Sequence, residues 1–168
     1  IFFMVGFDVT MNTNIALFLK NRFALSIETA SFGISIYFVS LMIGRFLGAI
    51  LLRKINNSLF MVISTIITLI GLAGILLSKD LMLTRVMIFV AGFGFSNLFP
   101  LMFALIVARK PDYANELSGL IILAVCGGAI VPPIAGVLTD LAGISASIFV
   151  LLFCTLYVAF ATYYVVKK

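Results

Sequence analysis

The chain has 168 residues, of which 64% are hydrophobic and only 10% are charged. Soluble domains are roughly 45–50% apolar and about 25% charged, and a soluble fold of this size could not cover so much apolar surface. The net charge of +5 comes from scattered pairs of basic residues rather than from a polar basic surface of the kind that binds nucleic acid. The composition therefore excludes a soluble enzyme, a disordered region and a secreted disulfide scaffold, and it indicates a protein of the lipid bilayer.

Charged residues divide the sequence into six apolar segments. Each is near the ~20 residues that a helix needs to cross about 30 Å of hydrocarbon, and backbone groups in the bilayer core must bond within the segment. The predicted fold class is therefore an all-α membrane protein, with one six-helix domain over residues 1–168. The predicted spans are 1–19, 29–52, 57–78, 83–108, 117–139 and 144–166.

Six spans place both termini on the same side of the membrane. Six lysines and arginines lie on that side and four on the other, and Arg45 near the end of the second span adds a seventh. The positive-inside rule then predicts that both termini are cytoplasmic. The connections are short, so the function is expected to lie within the bilayer.

The first span contains one carboxylate, Asp8. A charged side chain at the bilayer centre costs ~2.5–3.5 kcal/mol on insertion scales, and such residues usually face a cavity on an ion or substrate path. Asn12, four residues later, shares the same helix face. We interpret the pair as an acceptor for sugar hydroxyls or a carrier of protons. The alternative is that Asp8 lies close to the cytoplasmic interface.

The second span carries a small-residue face and one basic residue. Gly44 and Gly48 have the spacing of a helix-packing motif. Arg45 is expected to extend toward the headgroups, or else to cap the C-terminus of a neighbouring helix. Tyr37 places a hydroxyl at mid-membrane depth, where it either faces a polar cavity or bonds to another helix.

The fourth and fifth spans are rich in residues that interrupt helices. Asn97 follows three small residues and precedes a proline, which suits either a substrate cavity or close packing. In the fifth span Gly127 and Gly128 favour packing. Pro132 cannot donate to the carbonyl of Gly128, so a kink is expected between them.

The sequence contains few residues of the types that catalyse reactions or bind metals. Histidine is absent, and Cys126 and Cys154 both lie in apolar runs, so we expect no metal, no cofactor and no disulfide. Intramembrane aspartyl catalysis would need a second carboxylate facing Asp8, and the other acidic residues lie in loops or at helix ends.

Several strings together resemble the carboxy-terminal half of one transporter family. The segment 43–48, followed by Leu52-Arg53-Lys54, resembles the eighth helix of the fucose:proton symporter family of the major facilitator superfamily. The segment 5–9 resembles its seventh helix. Phe99-Pro100 and the segment 127–133, with Gly136 and Asp140, resemble its tenth and eleventh helices.

The resemblance implies a proton-driven sugar transporter of twelve helices that works by alternating access, with this chain as helices seven to twelve. Its implied partners are a monosaccharide, a proton and an amino-terminal six-helix half. The resemblance implies that the central cavity is faced by Asp8, Asn12, Tyr37 and Asn97. A cytoplasmic-side motif of the superfamily is partly present as Arg45, Arg53 and Lys54. The resemblance implies the proton gradient as the energy source and a bacterial inner membrane as the location.

Two other classes of function stay open at this point. One is a self-sufficient six-helix carrier or channel that works as a homo-oligomer, which the length of the open reading frame upstream of Ile1 would test. The other is an intramembrane enzyme, which would need a second buried carboxylate within about 6 Å of Asp8.

Overall fold

The computed structural model describes the backbone of residues 1–167 and the side chains of residues 1–164. Over this part of the chain the secondary structure is helical, and strands are absent. The helices are α1 (Phe2–Phe23), α2 (Ile27–Leu51), α3 (Asn57–Leu77), α4 (Leu81–Phe95), α5 (Leu98–Arg109), α6 (Ala114–Ala124), α7 (Gly127–Ala142) and α8 (Ala146–Lys167), with a 3₁₀ turn at Pro111–Tyr113.

Six segments of the described chain are long and apolar enough to cross a membrane, which confirms the predicted fold class. α1, α2, α3 and α8 are single helices. The fourth span, Leu81–Arg109, consists of α4 and α5, and the fifth, Pro111–Ala142, consists of the 3₁₀ turn, α6 and α7. The fifth span begins at Pro111 instead of the predicted 117, because the fixed φ of a proline suits the first turn of a helix.

Polar residues set the starts of three helices, in the short connections that the sequence predicts. Ser26, Asn56 and Asp80 each accept a hydrogen bond from a backbone N–H two or three residues later, which satisfies a donor that the first helical turn leaves free. α1 ends at Ala24, which adopts the left-handed conformation with φ 51°. These caps keep the turns between the first four spans tight.

The two broken spans are interrupted near their middles. α4 gives way to α5 at Ser96 and Asn97. α6 gives way to α7 at Val125 and Cys126, whose N–H groups bond to carbonyls three residues back at 3.1 Å each. Bonds of this type tighten the backbone into a 3₁₀-like turn.

The second interruption lies earlier than the predicted kink between Gly128 and Pro132. α7 continues through Pro132 and Pro133 to its end. The two prolines remove the N–H donors that would reach the carbonyls of Gly128 and Ala129. The N–H groups of Gly128 and Ala129 themselves bond three residues back, at 3.0 and 2.9 Å. The backbone is therefore distorted in the turn that precedes the prolines.

α1 packs against α2, α7 and α8, and α3 packs against α4 and α8. The core is formed around α1 by side chains that are at most 1% exposed, among them Met4, Phe7, Met11, Ile15 and Phe18.

The outer surface is as apolar as the interior. Phe46 and Ile122 are each 70% exposed and Leu77 is 80% exposed. Large apolar side chains on the outside are unfavourable in water and favourable in hydrocarbon. The bundle is thus built for a lipid environment.

One arginine joins α1 to the turn between α3 and α4. The Nη2 atom of Arg22 donates to the carbonyl oxygens of Leu76 at 2.9 Å and Ser78 at 2.7 Å, and its guanidinium lies 5.4 Å from the centre of the Phe18 ring. These carbonyls belong to the last turn of α3, whose acceptors have no helical donors. Arg22 therefore caps α3 from a different helix, a role that the sequence did not indicate.

Replacing Arg22 with Gln is expected to lower the free energy of unfolding by about 1–3 kcal/mol, because the hydrogen bonds of a charged donor are lost. Thermal unfolding of the purified protein in detergent measures the change. Lys20→Gln is the matched control, since Lys20 is exposed and lies on the same last turn of α1. Equal unfolding temperatures for the two variants would contradict the capping role.

Candidate functional site

Asp8 and Tyr37 form a hydrogen-bonded pair inside the bundle. The Tyr37 hydroxyl donates to Oδ1 of Asp8 at 2.6 Å, and Tyr37 is fully buried while Asp8 is half-buried. Tyr37 lies ten residues after Ile27 and fourteen before Leu51, the two ends of α2. The carboxylate is therefore held near the middle of the second span.

A cavity of about 200 Å³ opens beside Asp8. Residues on both sides of the first helix interruption line it, and so does Val125 at the second interruption. The two broken spans thus meet at the half-buried carboxylate of Asp8. Interrupted helices of membrane transporters commonly line a substrate path. The lining residues are Met4, Val5, Asp8, Arg45, Phe95, Ser96, Phe99 and Val125.

Arg45 brings the opposite charge to the same cavity. Its Nε donates to the carbonyl oxygen of Ser96 at 3.3 Å, just after the last residue of α4. We expected its side chain to extend toward the headgroups. The structure instead shows the other predicted arrangement, in which Arg45 caps the C-terminus of a neighbouring helix. Tyr37 holds the Asp8 carboxylate, and the carbonyl of Ser96 holds the Arg45 guanidinium. Both charged side chains line the cavity.

Asn97 lies next to the cavity without lining it. Its Nδ2 donates to the carbonyl oxygen of Gly44 at 2.7 Å and to Oγ of Ser96 at 2.9 Å. A Cβ at Gly44 would lie 2.8 Å from Cβ of Ser96, and one at Gly48 would lie 2.6 Å from Cγ of Asn97. The two glycines thus let α2 approach the interruption closely, and the hydrogen bond from Asn97 to Gly44 joins the interruption to α2.

The other predicted site residues lie outside the cavity. Asn12 is half-buried and is not among the lining residues. Gly128 packs against α1, where a Cβ would come within 3.1 Å of both Val5 and Val9. A Cβ at Gly127 would likewise contact the backbone of Phe2 in α1. Arg53 and Lys54 are exposed in the turn after α2, and Pro132 is half-buried within α7.

The sequence did not single out the apolar walls of the cavity. Phe95 stacks on Phe7 of α1 with the ring centres 4.3 Å apart, which fixes the side of the cavity that faces α4. The only signal for Phe95, Phe99 and Val125 was that they adjoin residues that interrupt helices. That signal marks a region of the chain but not the direction of a side chain.

The site combines one hydrogen-bond acceptor group, one donor group and aromatic walls. The carboxylate and the guanidinium can bond to hydroxyl groups in both senses, and aromatic faces suit the apolar faces of a ring. A larger cavity of about 640 Å³ between α1, α7 and α8 is lined by apolar side chains and Cys154. The smaller, charged cavity is therefore the candidate binding site.

Groups of three or more His, Cys, Asp or Glu side chains that could hold a metal ion are absent among the described residues. The other five carboxylates are exposed at turns or helix ends, so Asp8 has no acidic partner in the cavity. They are Glu28, Asp80, Asp112, Glu116 and Asp140.

Comparisons with known proteins agree with this architecture. The family model of the Major Facilitator Superfamily matches residues 1–168. A Helicobacter pylori protein named "Putative glucose/galactose transporter" is 32% identical over 143 residues, which cover 84% of this chain and 34% of that protein. A Brucella abortus protein named "Glucose/galactose transporter" is 28% identical over 162 residues, which cover 95% of this chain and 39% of that protein.

The chain thus spans between 34% and 39% of the length of these curated relatives. Among solved structures, none matches the chain.

Proposed function

The chain belongs to the major facilitator superfamily, and on that premise we propose that it forms the carboxy-terminal part of a proton-coupled monosaccharide transporter. In this proposal the cavity at Asp8 binds one side of the sugar, and an amino-terminal six-helix half supplies the other side. Transport proceeds by alternating access, in a bacterial inner membrane with both termini of this chain in the cytoplasm.

One observation carries the proposal: a half-buried carboxylate within a membrane span lines a cavity at the point where two interrupted spans meet. An ionisable group within a membrane span is costly and usually marks a transport path. The names of the curated relatives support a monosaccharide as the substrate, because they read "Putative glucose/galactose transporter" and "Glucose/galactose transporter". They also support the prediction that the chain is not an enzyme.

The roles of the residues follow from their contacts. Asp8 accepts hydrogen bonds from sugar hydroxyls, and Tyr37 holds the carboxylate toward the cavity. Arg45 donates to the sugar from the opposite wall and keeps the interruption between α4 and α5 closed against α2. Asp8 also carries the coupled proton, since it is the one titratable acid in the cavity.

Uptake of radiolabelled glucose and galactose by cells that express the whole open reading frame tests the proposal. We expect both sugars to accumulate above the external concentration, and a protonophore to reduce the accumulation to equilibration. Cells with the empty vector are the control. If neither sugar were taken up, the proposed substrate class would be contradicted. Accumulation that survives the protonophore would contradict proton coupling.

The same open reading frame also tests the alternative of a self-sufficient six-helix carrier or channel. If it encodes six further spans upstream of Ile1, that alternative is excluded. The proposal of two halves fails if transport persists when only residues 1–168 are expressed.

A further inference from the structure

A narrow groove between α3 and α8 lies away from the Asp8 cavity. It encloses about 150 Å³, and its walls are mainly apolar side chains of both helices. It shares no lining residue with the cavity at Asp8. The groove therefore offers a second, independent place where a ligand can lie against the bundle.

One polar group in the groove has no partner. The side chain of Thr162 is 1% exposed, and its Oγ1 makes no hydrogen bond within the described chain. The other buried threonines of this helix pair donate to carbonyl oxygens of their own helices at 2.8–2.9 Å, namely Thr65 to Met61, Thr68 to Ser64 and Thr155 to Leu151. Buried hydroxyls are nearly always hydrogen-bonded, so Thr162 lacks an acceptor that a ligand can supply.

The position of Thr162 along α8 corresponds to the edge of the hydrocarbon. The next two residues, Tyr163 and Tyr164, are each 59% exposed, and exposed tyrosines near the end of a span form the aromatic belt at the membrane interface. On the facing helix, Val62 lies five residues after the start of α3, and Leu69 lies seven residues, or about 10 Å, deeper. The groove therefore runs from the level of the headgroups into the level of the acyl chains.

The same end of the bundle carries exposed basic residues. Arg53 and Lys54 lie in the turn that leads into α3, and both are exposed. Basic residues at the end of a span attract the headgroups of anionic lipids. A phospholipid matches these three features. Its acyl chain fits the apolar groove, its ester carbonyl can accept from the Thr162 hydroxyl, and its phosphate suits the positive charge of Arg53 and Lys54.

We propose that the groove between α3 and α8 binds one anionic phospholipid. Its acyl chain lies along Val62, Ile66 and Leu69, and the Thr162 hydroxyl donates to an ester carbonyl oxygen. Arg53 and Lys54 lie at the headgroup. This site does not depend on which substrate the Asp8 cavity binds.

Native mass spectrometry of the protein purified from its whole open reading frame tests the proposal. The protein is mixed in detergent with phosphatidylglycerol or with phosphatidylcholine, and the retained lipid is counted at increasing collision energy. We expect one phosphatidylglycerol to be retained more firmly than phosphatidylcholine. Thr162→Val, which keeps the shape but removes the hydroxyl, should lower its apparent affinity roughly three- to tenfold, and Ile66→Trp should remove binding by filling the groove.

Thr155→Val is the matched control, because Thr155 is equally buried on α8, bonds to its own helix and does not line the groove. Arg53→Gln combined with Lys54→Gln should abolish the preference for phosphatidylglycerol. Equal affinities for the Thr162 and Thr155 variants would overturn the proposal, and so would firm lipid retention by Ile66→Trp. If chemical cross-linking of the purified protein placed a second copy in the groove, that result would overturn the proposal as well.

Discussion

Replacing Asp8 with Asn is expected to raise the sugar concentration for half-maximal uptake about tenfold. Hydrogen bonds to a charged group contribute about 1.5–3 kcal/mol and those between neutral groups about 0.5–1.5 kcal/mol, and each 1.4 kcal/mol is about a factor of ten in affinity. The Asn side chain still offers an oxygen to the Tyr37 hydroxyl, so the local packing is preserved. The effect of the substitution is therefore the effect of the charge.

The same variant is expected to lose accumulation of sugar while it still equilibrates sugar across the membrane. A carboxylate has a protonated form and an ionised form, whereas the neutral amide of Asn does not exchange a proton in this way, so the substitution removes the proposed proton carrier. Counterflow of labelled sugar in proteoliposomes measures equilibration, and uptake driven by an imposed pH gradient measures coupling. Tyr37→Phe should have a smaller effect on affinity and retain coupling, because it removes only the hydroxyl that holds the carboxylate.

Asn12→Ala is the control for both measurements, since Asn12 shares the helix with Asp8 but does not line the cavity. The affinity of this variant for sugar should stay within about twofold of that of the unmodified protein, because the Asn12 side chain lies outside the cavity. If Asp8→Asn and Asn12→Ala behaved alike, the assignment of the site would be wrong. If Asp8→Asn lost affinity but kept accumulation, Asp8 would bind sugar without carrying the proton.

Replacing Gly127 with Ala is expected to destabilise the protein by about 1–3 kcal/mol, the usual cost of adding volume to a well-packed contact. A Cβ at this position would meet the carbonyl oxygen of Phe2 and would lie 2.8 Å from its carbonyl carbon. The obstacle is backbone, so it cannot be relieved by a change of rotamer. α1 would have to move away from α7, and Asp8 would move with it.

Gly136→Ala in the same helix is the matched control, because a Cβ there meets nothing within 4 Å. Alanine is favoured over glycine within a helix by about 0.5–1 kcal/mol, so this control should be neutral or slightly stabilising. Thermal unfolding in detergent and the uptake assay together measure the two variants. Equal stability of both variants would show that α1 and α7 do not approach each other at Gly127.

The sequence identified the residues at the centre of the site better than it identified their neighbours. Asp8 and Tyr37 stand out because a polar group in a long apolar run is costly whatever surrounds it. The sequence could not show that they bond to each other, since 29 residues and a turn separate them. Asn97 stands out for the same reason, yet its amide bonds to the backbone of Gly44 and so supports the site from outside.

Hydropathy and length by themselves determined that this chain crosses a membrane six times as helices. Both are local properties, because the bilayer imposes the same length and the same internal bonding on every span. Only the tertiary structure decided which faces of the helices meet, because the rotation of each helix depends on the packing of its neighbours. It thereby decided that Arg45 caps α4, that Arg22 caps α3, that two interruptions meet at Asp8 and that the hydroxyl of Thr162 has no hydrogen-bond partner among the described residues.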